Sequence, residues 1–167
     1  LARNGRAPIG ELRYYADTKL ENFSTPLAQA QLGAALSMVG DKARAEKALK
    51  AALEGIKEKD DGITRRDYGT GVRDGAALIT LASEAGIVKQ EVPRLVDVVA
   101  KAYRAKAYTS TQEQAWMLLA ARALSDEAGN AALSVNGEKH KGQLIRAIRP
   151  EDVKAGALSI VNESDAP

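Results

Sequence analysis

Chemistry needs reactive side chains at workable spacing, and this sequence supplies few. It has no cysteine, which excludes disulfides, thiolate nucleophiles and cysteine-ligated metals within the chain. Its one histidine, His140, lies between Lys139 and Lys141. A metal site wants a second histidine or neighbouring carboxylates, and a catalytic base wants an orienting partner. Neither can be identified, so the expectation for His140 is a solvated loop position. Gly69-x-Gly71-x-x-x-Gly75 looks at first like a phosphate cradle. Its spacing departs from the dinucleotide fingerprint and no strand precedes it, so it reads as a turn leading into a helix. Paired carboxylates would be the mark of a glycosidase-like toroidal enzyme. The helical acids Glu84, Glu91, Asp97, Glu113 and Asp126 show no spacing that singles out a pair.

Two polar clusters remain. Arg65, Arg66, Asp67, Arg73 and Asp74 are charge-dense and complementary at short separation, which favours mutual pairing that fixes an interhelix connection over anion binding. Ser110-Thr111-Gln112-Glu113 is a capping box, in which the serine hydroxyl accepts from the glutamate amide and the carboxylate reaches back. Capping accounts for Ser110 and Glu113. It leaves Gln112 and Gln114 free to face a partner. No residue qualifies as catalytic, cofactor-binding or metal-ligating, and the chain reads as a non-enzyme that needs no cofactor.

The elements that carry these residues are mostly helices. The chain has 167 residues, 45% hydrophobic and 28% charged, a composition of folded rather than disordered chains. Alanine supplies much of the apolar content and aromatics are only 4%, which suits closely packed helices. The 24 basic and 22 acidic residues are interspersed for a net charge of +2. A nucleic-acid or membrane surface would need cations clustered on one face. No stretch reaches the roughly 18 apolar residues of a membrane span, and no signal peptide is present. The chain reads as a mature or excised piece.

Helical spacing of Ile9, Leu12, Ala16 and Leu20 predicts a first helix over about 9–20, with Pro8 at its first turn. Ser24 or Thr25 before Pro26 starts a second, with Leu27, Ala30, Gln31, Ala34, Ala35 and Met38 on one face. Gly40-Asp41 breaks it. A third, about 42–57, puts Ala45, Ala48, Leu49, Ala52 and Ile56 on one side, and the short turn makes the two antiparallel neighbours. After a loop at Asp60-Asp61-Gly62, a helix runs from about Val72 to Ala85 and stops at Gly86. Pro93 opens the next, with a stripe of Leu95, Val96, Val99, Ala102 and Tyr103. The helix after the capping box is apolar almost all round from Ala115 to Ala121, a pattern normally buried on most sides, with Trp116 anchoring the core.

From Asn130 the pattern changes. Ala131–Val135 reads as a strand, Asn136-Gly137 as a tight hairpin turn, and Gln143–Ile148 as the second strand, with a third at Ala157–Val161. A lone hairpin is barely stable in water. The division is therefore a helical unit at 1–129 and, at 130–167, a β segment that starts a further domain. The fold class is mainly α, of paired antiparallel helices with a short C-terminal hairpin segment.

Two resemblances appear. Residues 27–57 imitate a tetratricopeptide repeat through Leu32-Gly33, Gly40, Ala45 and Ala52, but the pattern does not recur after 34 residues. A tetratricopeptide-like solenoid for protein or peptide binding is the alternative reading. Pro26–Leu36, Gly40–Ala45, Asp67-Tyr68-Gly69 with Arg73-Asp74, and above all Ser110–Leu124 resemble the late helices of the thioester-type domain in bacterial alpha-2-macroglobulins, over about residues 10–130. The strand tail is similar, more weakly, to the β domain that follows.

That resemblance implies part of an α/α toroid in a periplasmic, often membrane-anchored, broad-spectrum protease trap. In such proteins a protease cuts a bait segment, the molecule rearranges, and a buried Cys–Gln thioester captures the attacker. Proteases are then targets of the parent protein, and neighbouring domains are this segment's partners. No nucleic acid and no direct membrane contact are implied. The thioester motif would fall before Leu1, so none of the family's functional residues can be placed here. Tyr68, Arg73, Asp74, Gln112, Glu113 and Trp116 are the interface or structural candidates. A half-toroid exposes apolar helix faces, so another segment of the parent, or self-association, is expected to cover them.

Overall fold

The structure, a computed structural model, describes residues 1–56, 67–129, 132–142, 144 and 157–163. The chain forms two compact units, Leu1–Ala123 and Leu124–Pro167.

In the first unit, helix α1 spans Ile9–Thr18 and is followed by a 3-10 turn at Leu20–Asn22. Ala16 and Leu20 are buried, while Ile9 at the helix start is exposed. Helix α2 spans Pro26–Met38. Thr25 is its N-cap, with Oγ1 accepting from the Ala28 amide at 3.1 Å. Helix α3, Lys42–Glu54, returns antiparallel. A side chain at Gly33 in mid-α2 would meet Leu49 Cγ at 2.8 Å and the Ala45 carbonyl at 3.0 Å. Gly55, just past α3, likewise abuts Pro26 at the start of α2. Small residues at these crossings let the two backbones approach.

The buried face of α2 is wider than its apolar spacing predicts. Ala30, Leu32, Gly33, Ala34 and Leu36 are buried, whereas Gln31 and Met38 are exposed. The reason is position: α1, α3 and α4 all pack on α2, so no single stripe describes it. On α3, Ala45, Ala48, Leu49 and Ala52 are buried as the spacing predicts, joined by Leu53, and Ile56 is buried just beyond the helix. Ala16, Leu20, Leu32, Leu36, Ala45 and Ala48 form one apolar cluster, flanked by Leu12 and Phe23.

Charges fasten α1 over the α2–α3 turn. Arg13 Nε donates to Asp41 Oδ2 at 2.8 Å, and Arg44 donates to both Asp17 and Asp41. The Arg13 hydrogen bond holds the Asp41 carboxyl below the usual carboxylate range. Arg44 does the same for Asp17.

Helix α4, Gly71–Ala85, is the most buried, with Val72 through Ala82 inside. It ends at Gly86, whose φ of 66° is the left-handed C-terminal stop. Helix α5, Val92–Arg104, packs antiparallel on it, and Val99 lies against Gly75. Its buried residues are Val92, Leu95 and Val98. The expected stripe is corrected by part of a turn: Val98 is inside, and Tyr103 is exposed, because α5 covers only one flank of α4.

Helix α6 spans Thr111–Ala128 and departs most from expectation. Leu118 is 72% exposed, Leu119 is exposed too, and Trp116 is only half-buried. The segment that reads as buried all round is not, and Trp116 is not a core anchor here. An all-apolar helix needs neighbours on every side, and among the described residues of this unit α6 has few.

In the second unit, β1 (Ala132–Val135), β2 (Glu138–Lys141) and β3 (Ile160–Asn162) form an antiparallel sheet in the order β2-β1-β3. Asn136 (φ 51°) and Gly137 (φ 86°) make the two-residue turn that Asn-Gly predicts. The second strand therefore begins at once, at Glu138, and not at the predicted Gln143. Its Glu-Lys-His-Lys sequence lacks apolar alternation and hides it. His140 is corrected accordingly: it lies half-buried in β2 opposite Leu133, not in a loop. The third strand falls inside its predicted range except for its last residue, Asn162. The predicted strand at 143–148, apart from Leu144, lies outside the described residues, as do Asp60-Asp61-Gly62, Arg65 and Arg66.

Candidate functional site

The sequence candidates converge where α4 and α6 begin. Thr70 caps α4: its Oγ1 accepts from the Arg73 amide at 3.2 Å and donates to Glu113 Oε1 at 2.6 Å. One hydroxyl thus closes one helix and reaches the first turn of another. Ser110 and Glu113 form the reciprocal cap, with Ser110 Oγ accepting from the Glu113 amide at 3.3 Å and Glu113 Oε2 accepting from the Ser110 amide at 2.6 Å. Lys106 Nζ adds a charged donor to Glu113 Oε1 at 2.5 Å.

Glu113 is only 2% exposed. Burial pushes its pKa up, yet the hydrogen bonds from Lys106, Thr70 and Ser110 outweigh it and bring the group down to about 2. A carboxylate held ionised and ringed by donors cannot serve as a general acid near neutral pH.

Arg73 is the second buried centre. Its Nε donates to Asp74 Oδ1 at 2.9 Å. Nη1 donates to the Asp67 carbonyl at 2.8 Å and to Gln112 Oε1 at 3.2 Å. Nη2 donates to Asp67 Oδ2 at 2.6 Å. Arg73 and Asp74 are both almost fully buried, and a buried guanidinium is tolerated when its donors are satisfied in this way. Asp67 Oδ1 also accepts from the Gly69 amide at 3.2 Å, closing the turn around Tyr68.

Of the six sequence candidates, Arg73, Asp74, Gln112 and Glu113 therefore join one polar network with Asp67, Thr70, Lys106 and Ser110. Tyr68 sits on the turn this network braces, with φ 54°. Trp116 takes no part in it by any hydrogen bond among the described residues. Gln114, left open by the sequence, donates to Thr109 Oγ1 at 3.1 Å. Thr70 and Lys106 were missed. Thr70 stood one residue before a glycine-rich helix start, where an N-cap is expected, so a signal existed for it. Lys106 had none, since only the fold brings it to Glu113. Among the described residues no group of acidic, histidine or cysteine side chains could hold a metal ion, and no helix is long and apolar enough to cross a membrane.

No family model matches the chain. Individual relatives do. Alpha-2-macroglobulin of Escherichia coli (strain K12) is 31% identical over 169 aligned residues, covering 100% of this chain. Alpha-2-macroglobulin of Xylella fastidiosa (strain Temecula1) is 34% identical over 95% of it. The native conformation of E. coli alpha-2-macroglobulin superposes with a TM-score of 0.67, at 29% identity over 99% of the chain. The chain belongs to the bacterial alpha-2-macroglobulin family. It spans about a tenth of the curated relatives' length, 10% and 9% for these two. Related structures include E. coli alpha-2-macroglobulin activated by porcine elastase, TM-score 0.66 and 28% identity over 97% of this chain and 14% of that one. Salmonella alpha-2-macroglobulin reacted with methylamine gives 0.62 and 28% over 98% of this chain and 11% of that one.

Proposed function

We propose that this chain is the late helical part of a thioester-type domain, with the start of the following β domain, in a bacterial protease trap. Residues 1–129 supply helix pairs of an α/α toroid and 130–167 the first strands beyond it. The role is structural and not enzymatic: the segment completes the toroid and packs against domains that shield a reactive site elsewhere in the parent protein. The compartment is the periplasm.

The observation that carries this reading is the extent of the likeness. Alignment with the E. coli relative covers the whole chain, helical and β parts together. The exposed apolar stripe of α6 supports it as well. Ala115, Leu118 and Leu119 lie on one helical face in water, which fits a helix whose neighbours come from another segment of the parent.

The test is methylamine incorporation by the intact full-length parent, read as a mass shift with release of one thiol. Uptake means a thioester upstream that this segment helps to bury. A parent that neither takes up methylamine nor retains a challenging protease would overturn the trap reading.

A further inference from the structure

We propose that Tyr68 and Tyr108 form a docking surface for another domain of the same polypeptide. The inference rests on the reading of the chain as part of a larger trap and names the face that the neighbour occupies.

Tyr68 is 79% exposed and Tyr108 85% exposed, in a chain with few aromatic residues. Both stand beside the buried polar network. Tyr68 lies two residues before Thr70, and Tyr108 lies midway between Lys106 and Ser110. Thr70, Lys106 and Ser110 all bond to Glu113. Each tyrosine is thus two residues, at most about 7 Å of chain, from a residue bonded to that carboxylate. Glu113 ties the two loops together.

Tyr68 also has left-handed backbone, φ 54°, which is costly for a bulky L-residue. Asp67 and Arg73 hold it there through three hydrogen bonds. A glycine would relieve that strain, and the ring gains little inside this chain. Backbone strain braced by a buried network suits a side chain preorganised for contact outside it. Two rigidly mounted tyrosines bring large area at low ordering cost, the usual make-up of an interface hot spot.

The chemistry of the partner face follows from what this one offers. Both phenols donate O–H. Gln112 is exposed and its Oε1 accepts from Arg73, so among the described residues its amide nitrogen is left to donate. The complement is an apolar floor rimmed by acceptors: free backbone carbonyls or carboxylates. A domain of the same polypeptide is favoured over a free partner by number. The relatives are about ten times longer than this chain, and tethered domains act at effective concentrations no free partner reaches.

The experiment is tyrosine nitration of the intact full-length parent with tetranitromethane, mapped by peptide mass spectrometry. The same protein unfolded in denaturant is the reference for each residue. The expected result is loss of nitration at Tyr68 and Tyr108 in the native protein at every protein concentration. Native rates close to the unfolded ones overturn the proposal. Protection that appears only at high concentration assigns the face to a second copy, and protection that appears only after protease is added assigns it to the captured protease; either overturns it. A protease-retention assay on the same sample separates the two ideas. Retention with reactive tyrosines sinks the docking surface alone, and protected tyrosines with neither methylamine uptake nor retention sink the trap reading alone.

Discussion

Thr70 Oγ1 donates to Glu113 Oε1 across 2.6 Å, and through that bond the first turn of α6 is tied to the first turn of α4. The residues are 43 positions apart. Each is an ordinary capping residue by local sequence, and the fold makes the two caps into one structure.

Glu113 has a pH consequence with a definite sign. Its folded pKa of about 2 lies below its ordinary 4.5, so the folded state prefers the ionised form. That stabilisation is complete above the ordinary value and is lost as pH falls from there through about 2. At about 1.4 kcal/mol per unit, the gap is on the order of 3 kcal/mol. Stability measured by urea unfolding is expected to fall across pH 5 to 2. Glu113→Gln is expected to flatten that slope while keeping the cap. Glu113→Ala is expected to cost more at pH 7, about 3 kcal/mol, because Lys106 and the Ser110 amide lose their acceptor. An unchanged acid slope in Glu113→Gln would remove Glu113 from the account.

Gly33 and Gly10 are both helical glycines and should respond oppositely to alanine. A Cβ at Gly33 meets Leu49 Cγ at 2.8 Å and, less forgivingly, the Ala45 carbonyl at 3.0 Å and the Leu49 amide at 3.2 Å. Backbone cannot rotate away, so Gly33→Ala should destabilise by roughly 2 kcal/mol or more. Nothing lies within 4 Å at Gly10, and Gly10→Ala should stabilise by about 0.5–1 kcal/mol through helix propensity. Thermal melts of the two variants decide this, and a shift of the same sign in both would contradict the packing described.

Most of the helical order was legible in the sequence because caps and stops are local. Thr25-Pro26, Gly86 and Ser110-x-x-Glu113 announce helix ends through atoms two or three residues apart. Burial was less legible because it depends on what lies opposite. Val98 in place of Tyr103 on α5, and Leu118 in water on α6, are set by which neighbours exist. The hairpin shows the same limit: Asn136-Gly137 located the turn, but Glu138–Lys141 carries no apolar alternation, so pairing alone revealed the strand. At the site, complementary charge foretold Asp67–Arg73–Asp74. Its link to Gln112 and Glu113 needed the tertiary structure.

Ser83 offers a simple gain. Among the described residues its Oγ is buried without a hydrogen-bond partner, and an unsatisfied buried hydroxyl costs about 1–3 kcal/mol. Ser83 also stands in a helix, where alanine is the better former. Ser83→Ala is therefore expected to raise stability, by up to about 1 kcal/mol after the partial exposure of the residue is counted. A chemical-denaturation midpoint that falls in Ser83→Ala would show that the hydroxyl is engaged in the protein in solution.

Leu118 tests whether the exposed face of α6 meets a neighbour in the parent protein. Within this chain it is 72% exposed, and exposed substitutions usually change stability by less than about 0.5 kcal/mol. If a segment of the parent covers it, Leu118→Glu places a charge in an apolar contact and loses roughly 2 kcal/mol of burial as well. Leu118→Met keeps both volume and polarity. Hydrogen exchange of the α6 amides in full-length protein is the measurement. The expected outcome is faster exchange across 111–128 in Leu118→Glu and unchanged exchange in Leu118→Met. Equal exchange in wild type and Leu118→Glu would mean that this face stays in water in the whole protein, and that α6 is held there by its polar first turn rather than by apolar packing along its length.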